Sequence, residues 1–84
     1  MVAARGHVLI IEDEPVIALE LEMLLSDMGF TTFDVADSPE EALACAQATR
    51  PDLITADYRI VAGTGVAAVE LITASLGEPR VIYV

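Results

Sequence analysis

Short apolar runs alternate along this chain with longer segments in which apolar residues recur at helical spacing. A continuous apolar run of about four to eight residues is typical of a strand buried on both faces of a sheet. Three such runs and one further β-prone segment predict strands at residues 8–11, 31–36, 53–56 and 81–84.

The segments between these strands carry the signals that begin and end helices. Pro15 suits a first helical position, and Gly29 suits the position just after a helix ends. Ser38 is a predicted N-cap that forms a capping box with Glu41, three residues later. The predicted helices span residues 15–28, 39–49 and 65–76, and residues 58–64 are predicted to be a loop.

The strict alternation of strands and helices predicts one α/β domain over residues 1–84. Such connections give a parallel sheet with helices on both faces, and therefore three layers. His7, at the entry to the first strand, is expected to be solvated. The first helix is expected to bury one apolar stripe, formed by Ile17, Leu21, Leu24, Leu25 and Met28.

The composition and the net charge exclude some classes of binding partner. The chain is 55% hydrophobic, and fourteen acidic residues against four arginines give a net charge of −10. This balance argues against nucleic acid and against an anionic membrane surface as partners, and it favours a metal cation or a basic protein. Cys45 cannot form an internal disulfide and is expected to fill space on a helix face. No apolar run is long enough for a signal peptide or a membrane span, so we expect a cytoplasmic protein.

Acidic residues follow two of the predicted strands. Glu12 and Asp13 follow the first strand, and Asp57 follows the third. Ligands of parallel α/β sheets bind outside the carboxyl ends of the strands, so these side chains are expected to converge. Two such charges about 4 Å apart repel by roughly 4 kcal/mol at an effective dielectric constant near 20. A divalent cation removes this conflict, and oxygen ligands favour Mg²⁺, beside which one carboxylate can attack phosphorus.

The segments that carry these acids resemble those of bacterial response-regulator receiver domains. The first segment is Leu-Ile-Ile-Glu-Asp-Glu-Pro at residues 9–15, and the second is Leu-Ile-Thr-Ala-Asp-Tyr-Arg-Ile at residues 53–60. A Gly-Thr-Gly sequence follows at residues 63–65 and places a glycine eight positions after Asp57. The resemblance extends from His7 to Val84 and implies a CheY-like, flavodoxin-type fold with strand order 2-1-3-4.

The resemblance implies a role for each matching residue. Asp57 would accept a phosphoryl group from the phosphohistidine of a histidine kinase or of a histidine phosphotransfer protein. Asp13 would bind Mg²⁺ directly, Glu12 mainly through water, and the backbone carbonyl of Arg59 would complete the protein ligands. The parent protein would be a response regulator or a hybrid sensor kinase of a two-component system. Receiver domains assist the transfer but are signalling proteins rather than enzymes.

The chain also departs from the family pattern. Ile60-Val61 replaces the common Met-Pro of the loop, and Thr64 replaces a frequent acidic residue. The family's fifth strand, its final helices, a Ser or Thr after the fourth strand and a Lys at the end of the fifth do not occur here. We therefore expect a receiver domain truncated after its fourth strand. Its exposed edge predicts self-association or exchange of elements with a second copy.

Three alternative functions remain open at this stage. Residues 63–68 fit the G-x-G-x-x-A pattern of a dinucleotide site, although that pattern normally follows the first strand of its fold. A phosphatase that forms an aspartyl phosphate would have similar acids, but its usual Asp-x-Asp is missing from residues 12–14. A receiver fold that binds a partner without phosphorylation is the third alternative.

Overall fold

A computed structural model of the chain describes residues 6–57, 59–60 and 63–83. Strands and helices alternate through most of this range, as the apolar pattern predicts. The elements are β1 (His7–Ile11), α1 (Pro15–Asp27), β2 (Thr32–Ala36), α2 (Pro39–Ala48), β3 (Leu53–Ala56), β4 (Arg59–Ile60), β5 (Gly63–Thr64), α3 (Gly65–Leu76) and β6 (Val81–Tyr83).

The main sheet has four parallel strands in the order β2-β1-β3-β6. This order confirms the predicted CheY-like arrangement, with β6 in the place of the predicted fourth strand. The prediction of a loop over residues 58–64 is wrong in part, because β4 and β5 pair there as a short antiparallel ladder. A two-residue strand is too short to show a periodic pattern in the sequence. Residues 58, 61 and 62 of the predicted loop and residue 84 of the predicted fourth strand lie outside the described part of the chain, as do residues 1–5.

Local signals fix the ends of the first two helices. Pro15 begins α1, and Gly29 lies two residues beyond its end with a φ of 104°. The N–H of Phe30 donates to the carbonyl of Leu25, and that of Gly29 donates to Ser26, which together form a Schellman motif. Ser38 caps α2 as predicted, because its Oγ accepts a hydrogen bond from the backbone N–H of Glu41 at 3.2 Å.

The core lies on both faces of the sheet. On one face the cluster centred on Leu9, Ile11 and Ile54 packs against α2 and α3, and the partly buried Cys45 lies against it as expected. On the other face, Val8 and Ile10 pack under α1. The predicted stripe of α1 is only partly buried. Leu25 and Leu21 contact this second cluster, whereas Ile17, Leu24 and Met28 are exposed.

The expectation that His7 is solvated is wrong. His7 is buried, and its ring nitrogens lie 2.7 Å from Thr32 Oγ1 and 2.9 Å from Asp34 Oδ2. Its backbone N–H donates to Asp52 Oδ2 at 2.7 Å. Parallel pairing of β1 with β2 places His7 level with Thr32, so the strand register supplies partners that are distant in sequence. A buried imidazole with polar partners is a stable arrangement.

Within the described residues, no helix combines the length and the apolar character needed to cross a lipid bilayer.

Candidate metal centre

The sheet brings the ends of β1 and β3 together at its carboxyl edge. The N–H of Asp57 donates to the carbonyl of Ile11 at 2.9 Å, so the residue after β3 is tied to the last residue of β1. The N–H of Glu12 donates in the same way to Ala36, the last residue of β2, at 2.9 Å. These backbone hydrogen bonds therefore hold Glu12 and Asp57 at the same edge of the sheet.

Glu12, Asp13 and Asp57 meet at this edge. One carboxylate oxygen from each residue can be chosen so that all three lie within 4.8 Å of one another. Glu12 is only 3% exposed, whereas Asp13 and Asp57 are partly exposed. The cluster therefore has a buried side formed by Glu12 and an open side on which Asp13 and Asp57 can reach a ligand. This arrangement confirms that the three acids predicted from the sequence lie together.

Burial raises the pKa of the Glu12 carboxyl above its ordinary value. A hydrogen bond from the backbone N–H of Glu14, 3.0 Å from Glu12 Oε1, lowers this pKa without cancelling the rise. The charge of Asp57 and hydrogen bonds with the Asp57 and Asp13 side chains raise it further. The site thus concentrates negative charge around a carboxyl group that is shielded from water, and a cation would relieve this cost.

Gly65 explains why a glycine stands eight residues after Asp57. It is the first residue of α3 and is buried, and a β-carbon there would overlap the carbonyl oxygen of Asp57. The side chain of Ala56 closes the same space from the other side. The sequence identifies this glycine only as part of a motif, and the G-x-G-x-x-A pattern would assign it to a dinucleotide site instead. The packing shows that Gly65 lets α3 approach the backbone of Asp57.

Arg59 is the first residue of β4, two positions after Asp57. Its proposed role as a carbonyl ligand remains a prediction. Tyr58, between the two, lies outside the described residues. Glu14 is exposed and precedes α1, and its backbone N–H, not its side chain, makes the contact with Glu12.

The three carboxylates determine which metal ions this site can bind. Three carboxylates offer hard oxygen ligands, which suit Mg²⁺ or Ca²⁺ better than metals that prefer nitrogen or sulfur. Within the described residues this is the one cluster of three or more His, Cys, Asp and Glu side chains close enough to share an ion. A partly exposed carboxylate beside such an ion is a competent nucleophile for phosphoryl transfer.

Comparison with known proteins agrees with this geometry. The family described as "Response regulator receiver domain" matches residues 8–84. The phyllosphere-induced regulator PhyR of Methylorubrum extorquens is 42% identical over 59 residues, which cover 69% of this chain and 22% of that protein. The chain thus spans about a fifth of the length of this relative.

Solved structures show the same fold. The receiver domain of PhyR from Erythrobacter litoralis is similar with a TM-score of 0.82 and 34% identity, covering 92% of this chain and 60% of that chain. PhyR from Bartonella quintana, in complex with the anti-sigma factor NepR, is similar with a TM-score of 0.84 and 32% identity. This match covers 92% of the present chain and 32% of the B. quintana chain.

Proposed function

Because this chain belongs to the response regulator receiver domain family, we propose that Asp57 accepts a phosphoryl group and that Glu12 and Asp13 make this possible by holding Mg²⁺. The observation that supports this proposal most directly is the convergence of the three carboxylates within 4.8 Å at the ends of β1 and β3. A dinucleotide site would not require this arrangement, and an Asp-x-Asp phosphatase would need a second aspartate that residues 12–14 do not supply.

The proposed reaction is a displacement at phosphorus. A carboxylate oxygen of Asp57 forms the new O–P bond while the N–P bond of a phosphohistidine breaks, and the departing imidazole takes up a proton. Asp57 is suited to this role because it is partly exposed while its backbone is tied to Ile11. Gly65 supports the same backbone from the side of α3. Holding the nucleophile in a fixed position reduces the entropy lost on reaching the transition state.

Glu12, Asp13, Asp57 and the carbonyl of Arg59 are the proposed ligands of Mg²⁺. When bound, the ion would neutralise charge on the phosphoryl oxygens and between the carboxylates. Glu12 lies on the inner side of the site, where its Oε1 already accepts the hydrogen bond from Glu14, and we propose that it contacts the ion mainly through water. Asp13 and Asp57 are partly exposed and are proposed to bind the ion directly.

The proposed partner is a phosphohistidine donor, either a histidine kinase or a histidine phosphotransfer protein. We propose that the present chain works in the cytoplasm, because its membership in the two-component signalling proteins implies this location. NepR is the partner of the B. quintana PhyR protein. For the present chain, the acidic cluster supports a phosphoryl donor as the partner. We propose that the chain is a signalling domain that becomes modified, rather than an enzyme that turns over a substrate.

The proposal is tested by measuring intact mass after incubation with acetyl phosphate, with and without Mg²⁺. We expect one phosphoryl group to be added in a Mg²⁺-dependent reaction, and we expect no addition to Asp57→Asn. Asp27→Asn is the matched control, because Asp27 is an exposed aspartate at the end of α1 and should leave the reaction unchanged.

Addition of a phosphoryl group to Asp57→Asn would place the modification elsewhere and would overturn the assignment. A wild-type chain that folds and binds Mg²⁺ but gains no phosphoryl group would instead favour an interaction module that works without phosphorylation. In that case partner binding should be the same for wild type and for Asp57→Asn.

A further inference from the structure

A cleft lies between α1 and β2. It has a volume of about 280 Å³, and both apolar and polar side chains line it. The apolar ones are Leu19, Met23 and Phe33, and the polar ones are Glu22, Ser26 and Asp27. These six residues define the α1–β2 cleft. A pocket with this mixed lining suits a ligand that has an apolar part and a polar part.

The apolar side chains form the floor of the α1–β2 cleft. Phe33 is partly buried and packs against the core cluster beneath α1, so its ring is held in place. Leu19 and Met23 are 57% and 62% exposed, and both remain available for contact with a ligand. A hydrated metal ion gains nothing from such a floor, whereas the hydrocarbon stem of a long side chain does.

Two carboxylates lie beside this floor. Glu22 is partly buried and Asp27 is exposed. The one ion pair among the described side chains joins His7 to Asp34, so Glu22 and Asp27 have no cationic partner there. A carboxylate next to apolar groups is less well solvated than one in open water, so a nearby positive charge stabilises it more strongly. The charge at the α1–β2 cleft therefore favours a cationic ligand.

The backbone of α1 adds negative charge at the same place. Asp27 is the last residue of α1, and no basic residue lies in the last turn. The C-terminus of a helix carries a partial negative charge, so a cation is favourable there and an aspartate is not. Residues 14–37, which include all of α1 and β2, contain no Lys, Arg or His. These elements do not supply the cation that their own charges favour.

An arginine side chain of another protein matches both parts of the α1–β2 cleft. Its stem can cover the apolar floor while its guanidinium group reaches the carboxylates of Glu22 and Asp27. The planar guanidinium also stacks on aromatic rings more readily than the ammonium of lysine, and Phe33 supplies such a ring. The net charge of −10 attracts a basic protein over a longer range.

We propose that the α1–β2 cleft binds an arginine side chain of a partner protein, with its stem on Leu19 and Met23 and its guanidinium group beside Glu22 and Asp27. This proposal does not depend on phosphoryl transfer to Asp57. The α1–β2 cleft involves the C-terminal half of α1, whereas the metal centre lies where β1 and β3 end.

The proposal is tested by adding short peptides to the isotope-labelled chain and following its backbone amide signals by NMR. The probe is acetyl-Gly-Arg-Gly-amide, and the control peptide carries citrulline, which has nearly the same shape as arginine but no charge. We expect saturable shifts at the residues of the α1–β2 cleft and a dissociation constant at least about fivefold lower for the arginine peptide. The corresponding lysine peptide should bind more weakly than the arginine peptide. Added salt should weaken binding, because it screens the attraction.

Two matched pairs of variants locate the binding. Glu22→Gln is expected to raise the dissociation constant of the arginine peptide about threefold. Glu20→Gln removes the same charge from an exposed position on α1 outside the cleft and should change the constant less than about 1.5-fold. Met23→Gln should weaken binding about twofold through the loss of apolar contact. Met28→Gln, at an exposed methionine that does not line the cleft, should leave binding unchanged.

Four results would each overturn the proposal. Equal binding of the arginine and citrulline peptides would show that the α1–β2 cleft recognises apolar groups alone. Equal effects of Glu22→Gln and Glu20→Gln would show that the general negative charge attracts the peptide. Shifts confined to Glu12, Asp13 and Asp57 would place the binding at the metal centre. Equally tight binding of putrescine, a small diamine, would indicate a site for free cations rather than for a protein side chain.

Discussion

Gly65 packs directly against the backbone carbonyl of Asp57, so closely that a β-carbon at position 65 would overlap the carbonyl oxygen. The first turn of α3 therefore rests on the peptide that positions the proposed phosphoacceptor. The contact joins two roles in one residue: Gly65 allows α3 to pack on the sheet, and it limits where Asp57 can lie. Substitution of this glycine should thus affect both stability and phosphoryl acceptance.

Gly65→Ala is expected to lower the free energy of unfolding by about 2 kcal/mol, because the added methyl group forces the backbone of α3 or of Asp57 to move. The displacement of Asp57 should also slow the formation of the phosphoryl adduct. Urea denaturation gives the first quantity, and intact mass after incubation with acetyl phosphate gives the second.

Gly77→Ala is the control for Gly65→Ala. Gly77 has a φ of 88°, and a β-carbon there meets no atom within 4 Å. An alanine at this position should destabilise the fold by about 1 kcal/mol through backbone strain alone, and adduct formation should be unchanged. Normal adduct formation by Gly65→Ala would show that the position of Asp57 does not depend on this glycine.

Glu12→Gln is expected to stabilise the metal-free protein at neutral pH. Burial raises the pKa of Glu12 in the folded state, so the folded state holds this proton more tightly than the unfolded state does. As the pH increases from the ordinary carboxyl pKa through the raised pKa, the ionisation of Glu12 lowers the free energy of unfolding. The loss is about 1.4 kcal/mol for each pH unit by which folding raises the pKa. Urea denaturation in a chelator at several pH values should show the advantage of the variant at neutral pH and its loss on acidification.

Glu14→Gln is the comparison for this effect, because Glu14 is exposed and the same negative charge is removed two positions away. This variant should show a smaller stabilisation than Glu12→Gln. Equal gains in the two variants would mean that relief of the general negative charge, rather than burial of Glu12, is the cause.

Mg²⁺ is expected to stabilise the folded chain. At a concentration ten times its dissociation constant, the ion should raise the free energy of unfolding by about 1.4 kcal/mol, because it binds the folded state alone. Urea denaturation with Mg²⁺ and with a chelator measures this difference. Asp13→Asn should lose most of it, and Asp27→Asn should keep it. An equal Mg²⁺ effect in both variants would argue against Asp13 as a ligand.

Asp34→Ala is expected to destabilise the fold by about 1 kcal/mol, because it removes the partner that lies 2.9 Å from the ring of the buried His7. Asp37→Ala, at an exposed position just after the same strand, should change the stability little. Thermal or urea denaturation of both variants measures the difference. Equal stability of the two variants would show that the contact between His7 and Asp34 contributes nothing to the fold.

The architecture followed from the sequence because its signals are local and agree with one another. Three of the predicted strands are apolar runs, and α2 begins where Ser38 caps it. Gly29 forms the predicted end of α1 with a positive φ, which few other residues tolerate. The acidic cluster also followed, because the carboxyl ends of parallel strands share one edge.

The exposed part of α1 could not be predicted in the same way. Helical spacing shows that Leu24 and Met28 share a face with Leu21, but it does not show how wide a surface the sheet offers to cover that face. In the structure Leu24 and Met28 are exposed, whereas Leu21 packs against the cluster beneath α1. Periodicity within one helix carries no information about the number of strands beneath it.

The sequence by itself determined the order and approximate ends of the three helices and of the four strands of the main sheet, and the three acids that meet at the sheet edge. Only the tertiary structure decided that His7 is buried between Thr32 and Asp34, that Gly65 supports Asp57, and that α1 keeps an apolar face exposed. The physical reason is distance along the chain. Caps, turns and apolar runs act between near neighbours, whereas these contacts arise only when the strand register and the packing of helices bring distant residues together.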